Sequence, residues 1–209
     1  RSFRQLWRDG LAATEKVEVG RVAVATEEAE SAPPKEDALL RFGRMLQSVG
    51  GGFEVVPDRA AAGVTIRRIV HEAQATTVAV SDATLLADIH VASHLGPGAS
   101  TAELLDADVG ITTAQLGIAE TGTLVLTSDD ERHRLVSLLP PLHIAVLPRS
   151  RLVDNLEDAL AAVARDAPAD MSRAVTFITG PSRTADIELT LVVGVHGPRQ
   201  LTVIVLANE

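Results

Sequence analysis

Three short segments mix carboxylate, hydroxyl, guanidinium or imidazole groups with glycine or proline, and each borders an apolar run. They are Ala119-Glu120-Thr121-Gly122-Thr123, Gly180-Pro181-Ser182-Arg183-Thr184-Ala185-Asp186-Ile187-Glu188, and Gly194-Val195-His196-Gly197-Pro198. In open α/β sheets ligands bind at strand ends, where loops converge. In the second segment a predicted strand runs into Gly-Pro, and hydroxyl residues then open a short helix or turn over 184–189. Ser182 or Thr184 can cap that helix, and its free backbone N–H groups attract an anion. Arg183 adds a fork suited to a carboxylate or phosphate. The plainer reading is a capped turn with a surface ion pair from Arg183 to Asp186 or Glu188.

Glu120 stands between an expected helical turn and a strand. Its carboxylate could be a nucleophile, a general base or the acceptor for a substrate hydroxyl, with Thr121, Gly122 and Thr123 forming the binding loop around it. The alternative is a strand-start carboxylate tied to backbone amides. His196, between glycines and a proline, could be an acid/base or orienting group, or a turn histidine bonded to a carbonyl. We expect the three segments to meet at one end of a sheet. Glu120 and His196 would handle protons there, and Thr121, Gly122, Thr123, Ser182, Arg183, Thr184 and Asp186 would bind substrate.

Other chemistry is less well supported. His143 begins an apolar strand and reads as a satisfied core histidine. His90 and His94 are spaced i, i+4 on a predicted helix, but Val91 follows the first histidine where a zincin needs Glu, so no metal is expected. A Ser182–Asp186–His196 triad lacks the G-x-S-x-G elbow. Gly50-Gly51-Gly52 follows a helix and precedes a strand, the order of a helix C-cap rather than a phosphate loop.

Composition narrows the classes. The chain has 209 residues, 46% of them hydrophobic, with 28 acidic against 19 basic residues and a formal charge of −9. Phosphate neutralisation supplies most nucleic-acid affinity, and this chain has no basic run and only four Phe and one Trp for stacking. No nucleic-acid partner is expected. Leu135–Pro148 is uncharged but short and broken by prolines, so no membrane span is expected. Residues 1–10 carry no apolar signal core, and the default location is the cytoplasm. The chain contains no Cys, which removes disulfides, thiolate nucleophiles and Cys-ligated clusters from these residues.

The elements that would position the three segments follow from periodicity. A helix over 3–19 and a linker over 23–35 form an N-terminal arm, 1–35, ahead of one domain over 36–209. Helices are expected over 37–49 (apolar face Leu39, Leu40, Phe42, Met45 and Leu46), 60–70, 84–95, 101–105 and 153–165, the last with Leu156, Leu160 and Val163 on one face. A helical turn is expected over 114–119, and a turn over 96–100. Strands are expected over 53–56, 77–80, 109–112, 123–127, 143–147, 174–179 and 201–206. Helices alternating with short, fully apolar strands predict an α/β fold, its sheet mostly parallel or mixed and covered on both faces.

Five motifs in order carry a resemblance. They are Val109-Gly110-Ile111-Thr112, Ile118-Ala119-Glu120-Thr121-Gly122-Thr123-Leu124, Leu138-Leu139-Pro140-Pro141-Leu142-His143-Ile144, Gly180 through Glu188, and Gly194 through Pro198. Over roughly 38–206 the chain resembles the LUD-domain family, within it the lactate utilization protein C branch. The resemblance implies a three-layer α/β/α sandwich like the NagB/RpiA/CoA transferase group. It also implies a part in oxidising L-lactate to pyruvate together with iron–sulfur oxidoreductase subunits. The clusters would then sit in those partners, with no cofactor in this chain, whose own contribution would be assembly, binding of a small carboxylate or phosphate, or an acid/base group. A homodimer is plausible for the fold group. Two alternatives stay open: a stand-alone acyl-CoA or phosphosugar enzyme using Glu120, whose Glu120-Thr121-Gly122 resembles the Glu-x-Gly of CoA transferases, and a small-anion sensor.

Overall fold

A computed structural model of the chain describes residues 36–81, 94–96, 99–127, 134–166, 174–185, 191–193 and 197–209. The expected arm over 1–35 and most of the helix expected over 84–95 lie outside the described residues. Asp37 starts helix α1 (Ala38–Ser48) by accepting the Leu39 N–H at 2.8 Å. Phe42 and Leu46, one turn apart, are fully buried, whereas Leu40, expected on the same face, is exposed. The helix ends where expected: Gly50 takes φ 85°, its N–H donates to the Gln47 carbonyl, and that of Gly51 donates to the Leu46 carbonyl.

The chain continues through β1 (Gly52–Val56), α2 (Arg59–Glu72), β2 (Val78–Val80), β3 (His94–Leu95), α3 (Thr101–Leu105) and β4 (Val109–Thr113). Next come β5 (Leu116–Ile118), β6 (Thr123–Thr127), a 3₁₀ turn (Arg134–Ser137), β7 (Leu142–Pro148) and β8 (Leu152–Val153). It closes with α4 (Leu156–Asp166), β9 (Val175–Ile178), β10 (Arg183–Ala185), β11 (Leu191–Val193) and β12 (Gln200–Leu206). Asp58 caps α2, and Ser100 with Glu103 forms a reciprocal capping box on α3.

The main sheet has the order β1-β12-β7-β4-β2-β3, and every pairing in it is parallel. Such strands are buried on both faces, which is why they read as continuous apolar runs. Along β7, Leu142, Ile144 and Val146 join Ala62 and Ile66 of α2 in one core. Ala145 and Leu147, on the opposite face, join Phe42 and Leu46 of α1 and Leu124 and Leu126 of β6 in another. A second sheet, β8-β5-β6-β9, shares the α1 side, and Ala159 and Ala162 of α4 cover its Leu116, Ile118 and Val125. The fold is α/β, with a six-stranded parallel sheet flanked by helices.

Four expectations are corrected. The helical turn over 114–119 is instead strand β5: Gly117 lies so close to the main sheet that a Cβ on it would stand 2.6 Å from Leu147, and the backbone pairs with β6 and β8. The helix over 153–165 begins at Leu156, because Leu152 and Val153 are taken into β8, and Asn155 Oδ1 accepts the Asp158 N–H at 2.9 Å. Its face on the sheet is Ala159, Ala162 and the half-buried Val163, with Leu156 48% and Leu160 51% exposed, since alanines let the helix sit close on the sheet. His94 belongs to β3, paired with Val78, so the helical His90–His94 face does not form there. The helix or turn over 184–189 is replaced at its start by β10, where Arg183 pairs with Val193. The aliphatic run Leu191-Val192-Val193 supplies a partner strand that outweighs the local capping signal.

Asp108 ties the start of β2 to the turn before β4. Its Oδ2 accepts the Thr76 N–H at 2.7 Å, the Thr76 hydroxyl at 2.9 Å and the Thr77 N–H at 3.0 Å. These bonds, led by that from the Thr77 amide, hold its carboxyl below the usual range. Asp108→Ala is expected to cost about 1–3 kcal/mol in urea unfolding, since it removes the hydrogen bonds to a charged carboxylate that hold the half-buried Thr77 N–H and the exposed Thr76. An unchanged midpoint would refute that role.

Candidate functional site

A hollow of about 230 Å³ opens at the amino ends of β7 and β12. Its floor is His143, the second residue of β7, beside Leu201, its register partner on β12. One wall is the end of the 3₁₀ turn, Ser137 and Leu138. That turn is pressed onto β4 at Gly110, where a Cβ would run into the Val136 carbonyl, and Gly110 is the register partner of His143. A side chain at position 110 would push Ser137 away from the hollow. The opposite wall is β9 with Thr176, Phe177 and Ile178, followed by Thr179, Gly180 and Ser182. Gly197 and Pro198 close the rim.

The structure thus brings parts of the second and third segments together. The Ser182 N–H donates to the Pro198 carbonyl at 2.8 Å, and a Cβ on Gly197 would stand 3.2 Å from that of Ser182. The first segment reaches them through hydroxyls. Thr123 Oγ1 is 2.7 Å from both Thr121 Oγ1 and Thr179 Oγ1, so a short chain of hydroxyls runs from the β5–β6 turn to the hollow. The remaining groups do not line it. Glu120 is exposed in the turn between β5 and β6, its backbone N–H bonded to the Asp154 carbonyl at 3.0 Å. Gly122 has a backbone role, since its positive φ ends that turn against α1. Arg183 is exposed, and its Nη2 donates to the Val49 carbonyl at 2.6 Å, satisfying the end of α1 rather than an anion. Thr184 lies within β10, so the helix expected to be capped there does not begin at Thr184. His196 and Asp186 lie outside the described residues.

His143, read from the sequence as a satisfied core histidine, is buried as expected but satisfied at one ring nitrogen only. His143 is 1% exposed, its Nε2 lies 2.8 Å from Thr112 Oγ1, and its Nδ1 is buried without a hydrogen-bond partner among the described residues. Burial alone lowers its pKa to about 4, so the ring is neutral at neutral pH. The signal was present in the sequence as an imidazole at the mouth of an otherwise apolar strand, directly after Pro140-Pro141-Leu142. A polar side chain starting a buried strand needs a reason to be there. No cluster of three metal-ligating side chains occurs among the described residues, and no helix among them is long and apolar enough to cross a membrane.

The described residues form an α/β domain whose parallel sheet carries at its rim a hollow lined by Ser137, Thr179 and Ser182 together with Leu138, Phe177 and Leu201, with the buried His143 among its lining residues. The chain belongs to the LUD domain family, whose model matches residues 39–206. It is 42% identical over 105 residues to lactate utilization protein C 1 of Bacillus mycoides, a match covering 49% of this chain and 45% of that protein. It is 44% identical over 104 residues to lactate utilization protein C of Shouchella clausii, covering 49% and 45%. The matched stretch therefore spans about half the length of these curated relatives. Among solved structures it resembles a DUF162 family protein from Deinococcus radiodurans, with TM-score 0.64 and 27% identity, over 80% of this chain and 95% of that one.

Proposed function

We propose that this chain is a cytoplasmic component of a system that oxidises L-lactate to pyruvate, working with iron–sulfur oxidoreductase partners. The observation that carries this reading is the 42% identity to a lactate utilization protein C within a shared LUD domain. The absence of cysteine from these 209 residues fits a division of labour in which Cys-ligated clusters, and the electrons, reside in the partners. The chain's own part is to bind a small carboxylate and to assemble the system. The exposure of Glu120, away from the hollow, gives an acyl-transfer enzyme no support.

Deleting the coding sequence is expected to abolish growth on L-lactate as sole carbon source while leaving growth on glucose intact, and a plasmid copy restores it. A tagged chain is expected to retain iron–sulfur proteins, with their visible absorbance, on gentle purification. Growth of the deletion strain on L-lactate at the parental rate would overturn the pathway assignment. Recovery of the tagged chain alone would overturn the partnership.

A further inference from the structure

We infer that the wall of the hollow built from β9 and the strap that follows it, residues 175–183, is a movable flap, and that Arg183 is the clip that holds it shut. Burial singles this wall out. Every residue of β4, β5 and β6 is buried, and so are six of the seven residues of β7. From Val175 to Arg183 none is: Val175, Phe177, Thr179 and Arg183 are exposed, and the residues between them are half-buried. β9 also stands at the end of its sheet, paired with β6 alone among the described residues. An edge element with so little buried surface opens locally at a lower cost than the sheets around it.

Outside the strand ladders, three bonds among the described residues tie the strap down. Thr179 Oγ1 lies 2.7 Å from Thr123 Oγ1. The Ser182 N–H donates to the Pro198 carbonyl at 2.8 Å. Arg183 Nη2 donates to the Val49 carbonyl at 2.6 Å, across 134 residues of chain. The first two join neutral groups. The third is charge-assisted, a class about twice as strong, and it sets a cation against the negative end of α1. Gly180 lets the strap lie flat on the same point. It takes φ 82°, and a Cβ on it would stand 2.9 Å from Val49 Cγ2 and 3.0 Å from the Val49 carbonyl oxygen. The guanidinium is solvent-exposed, so water competes for it and the clip can let go. Two neutral bonds and the partial burial of Ile178 against the core of Leu124 and Leu126 then remain to hold the wall. Thr179, Gly180 and Ser182 line the hollow, so lifting the strap opens that space along one side. The flap is a property of the wall and stands apart from the lactate reading.

The test is native-state hydrogen exchange of the full chain, followed amide by amide by NMR at rising urea below the unfolding transition. The Ser182 amide reports the strap. The amides of Ala145 and Val203, fully buried on β7 and β12, report global opening. In the wild type, Ser182 is expected to be protected at least about 100-fold less than those two. Its exchange should be nearly independent of urea, because a local opening exposes little new surface. Arg183→Met keeps most of the side chain's bulk and removes its donors. It is expected to raise the rate at Ser182, relative to Ala145 and Val203, by about tenfold or more. Ser182 protection equal to that of Ala145 and Val203, or a urea dependence as steep as theirs, would overturn the flap. An unchanged rate ratio in Arg183→Met would overturn the clip.

Discussion

Gly122→Ala is expected to destabilise the chain by about 2–4 kcal/mol, read as a lower urea midpoint at unchanged m-value. Two independent causes add. The residue sits at φ 66°, a conformation in which a Cβ costs about 1–2 kcal/mol. The new methyl would also run into the Leu46 amide nitrogen, with the Leu46 Cα at 2.7 Å. Both atoms are helix backbone, so relief requires the β5–β6 turn to lift off α1, taking Phe42 and Leu46 out of register with Leu124 and Leu126. The reduced freedom of the unfolded chain returns about 0.4–1 kcal/mol and does not reverse the sign. Gly96→Ala is the matched control: nothing lies within 4 Å of its Cβ, and the expected change is near zero. A Gly122→Ala midpoint within about 0.5 kcal/mol of wild type would refute this packing. Thr121 and Thr123 flank the glycine, so the variant should also disturb the hydroxyl chain into the hollow.

The second large effect is on acid stability. A buried neutral histidine titrates at about 4 in the folded chain against about 6.5 when exposed. Between those values the unfolded chain binds more protons, so stability rises with pH across the window. Its contribution is complete above about pH 6.5, falls away as pH drops toward 4, and is constant below. The whole loss is about 3 kcal/mol by the linkage arithmetic. Asp108 acts in a lower window: its depressed carboxyl loses its contribution only as pH falls below the ordinary value of 3.8. Urea unfolding at a series of pH values checks both. Wild type minus His143→Gln should show the slope between pH 6.5 and 4 that the variant lacks. Parallel curves would mean that the imidazole is not buried as described.

The fold and the site were legible in the sequence to different degrees. Gly50-Gly51-Gly52 announces a helix stop, because capping acts within a few residues. The runs 109–112, 143–147 and 201–206 declare strands covered on both faces, hence a sheet between helices, mostly parallel or mixed. The three polar segments were also visible as loops between such runs.

Their meeting place was not visible. β5 looks helical in isolation and is a strand because β6 and β8 pair with it. Arg183 looks like an anion fork and instead completes the end of a helix 134 residues earlier. His143 looks like satisfied core, and it is core satisfied at one nitrogen only: Thr112, 31 residues away, takes Nε2, and Nδ1 is buried without a partner among the described residues. Caps and periodicities belong to the chain's near neighbours, and the sequence by itself determines them. Which polar atom finds a partner, and which is buried without one, depends on groups that only the packed sheets bring within hydrogen-bond reach.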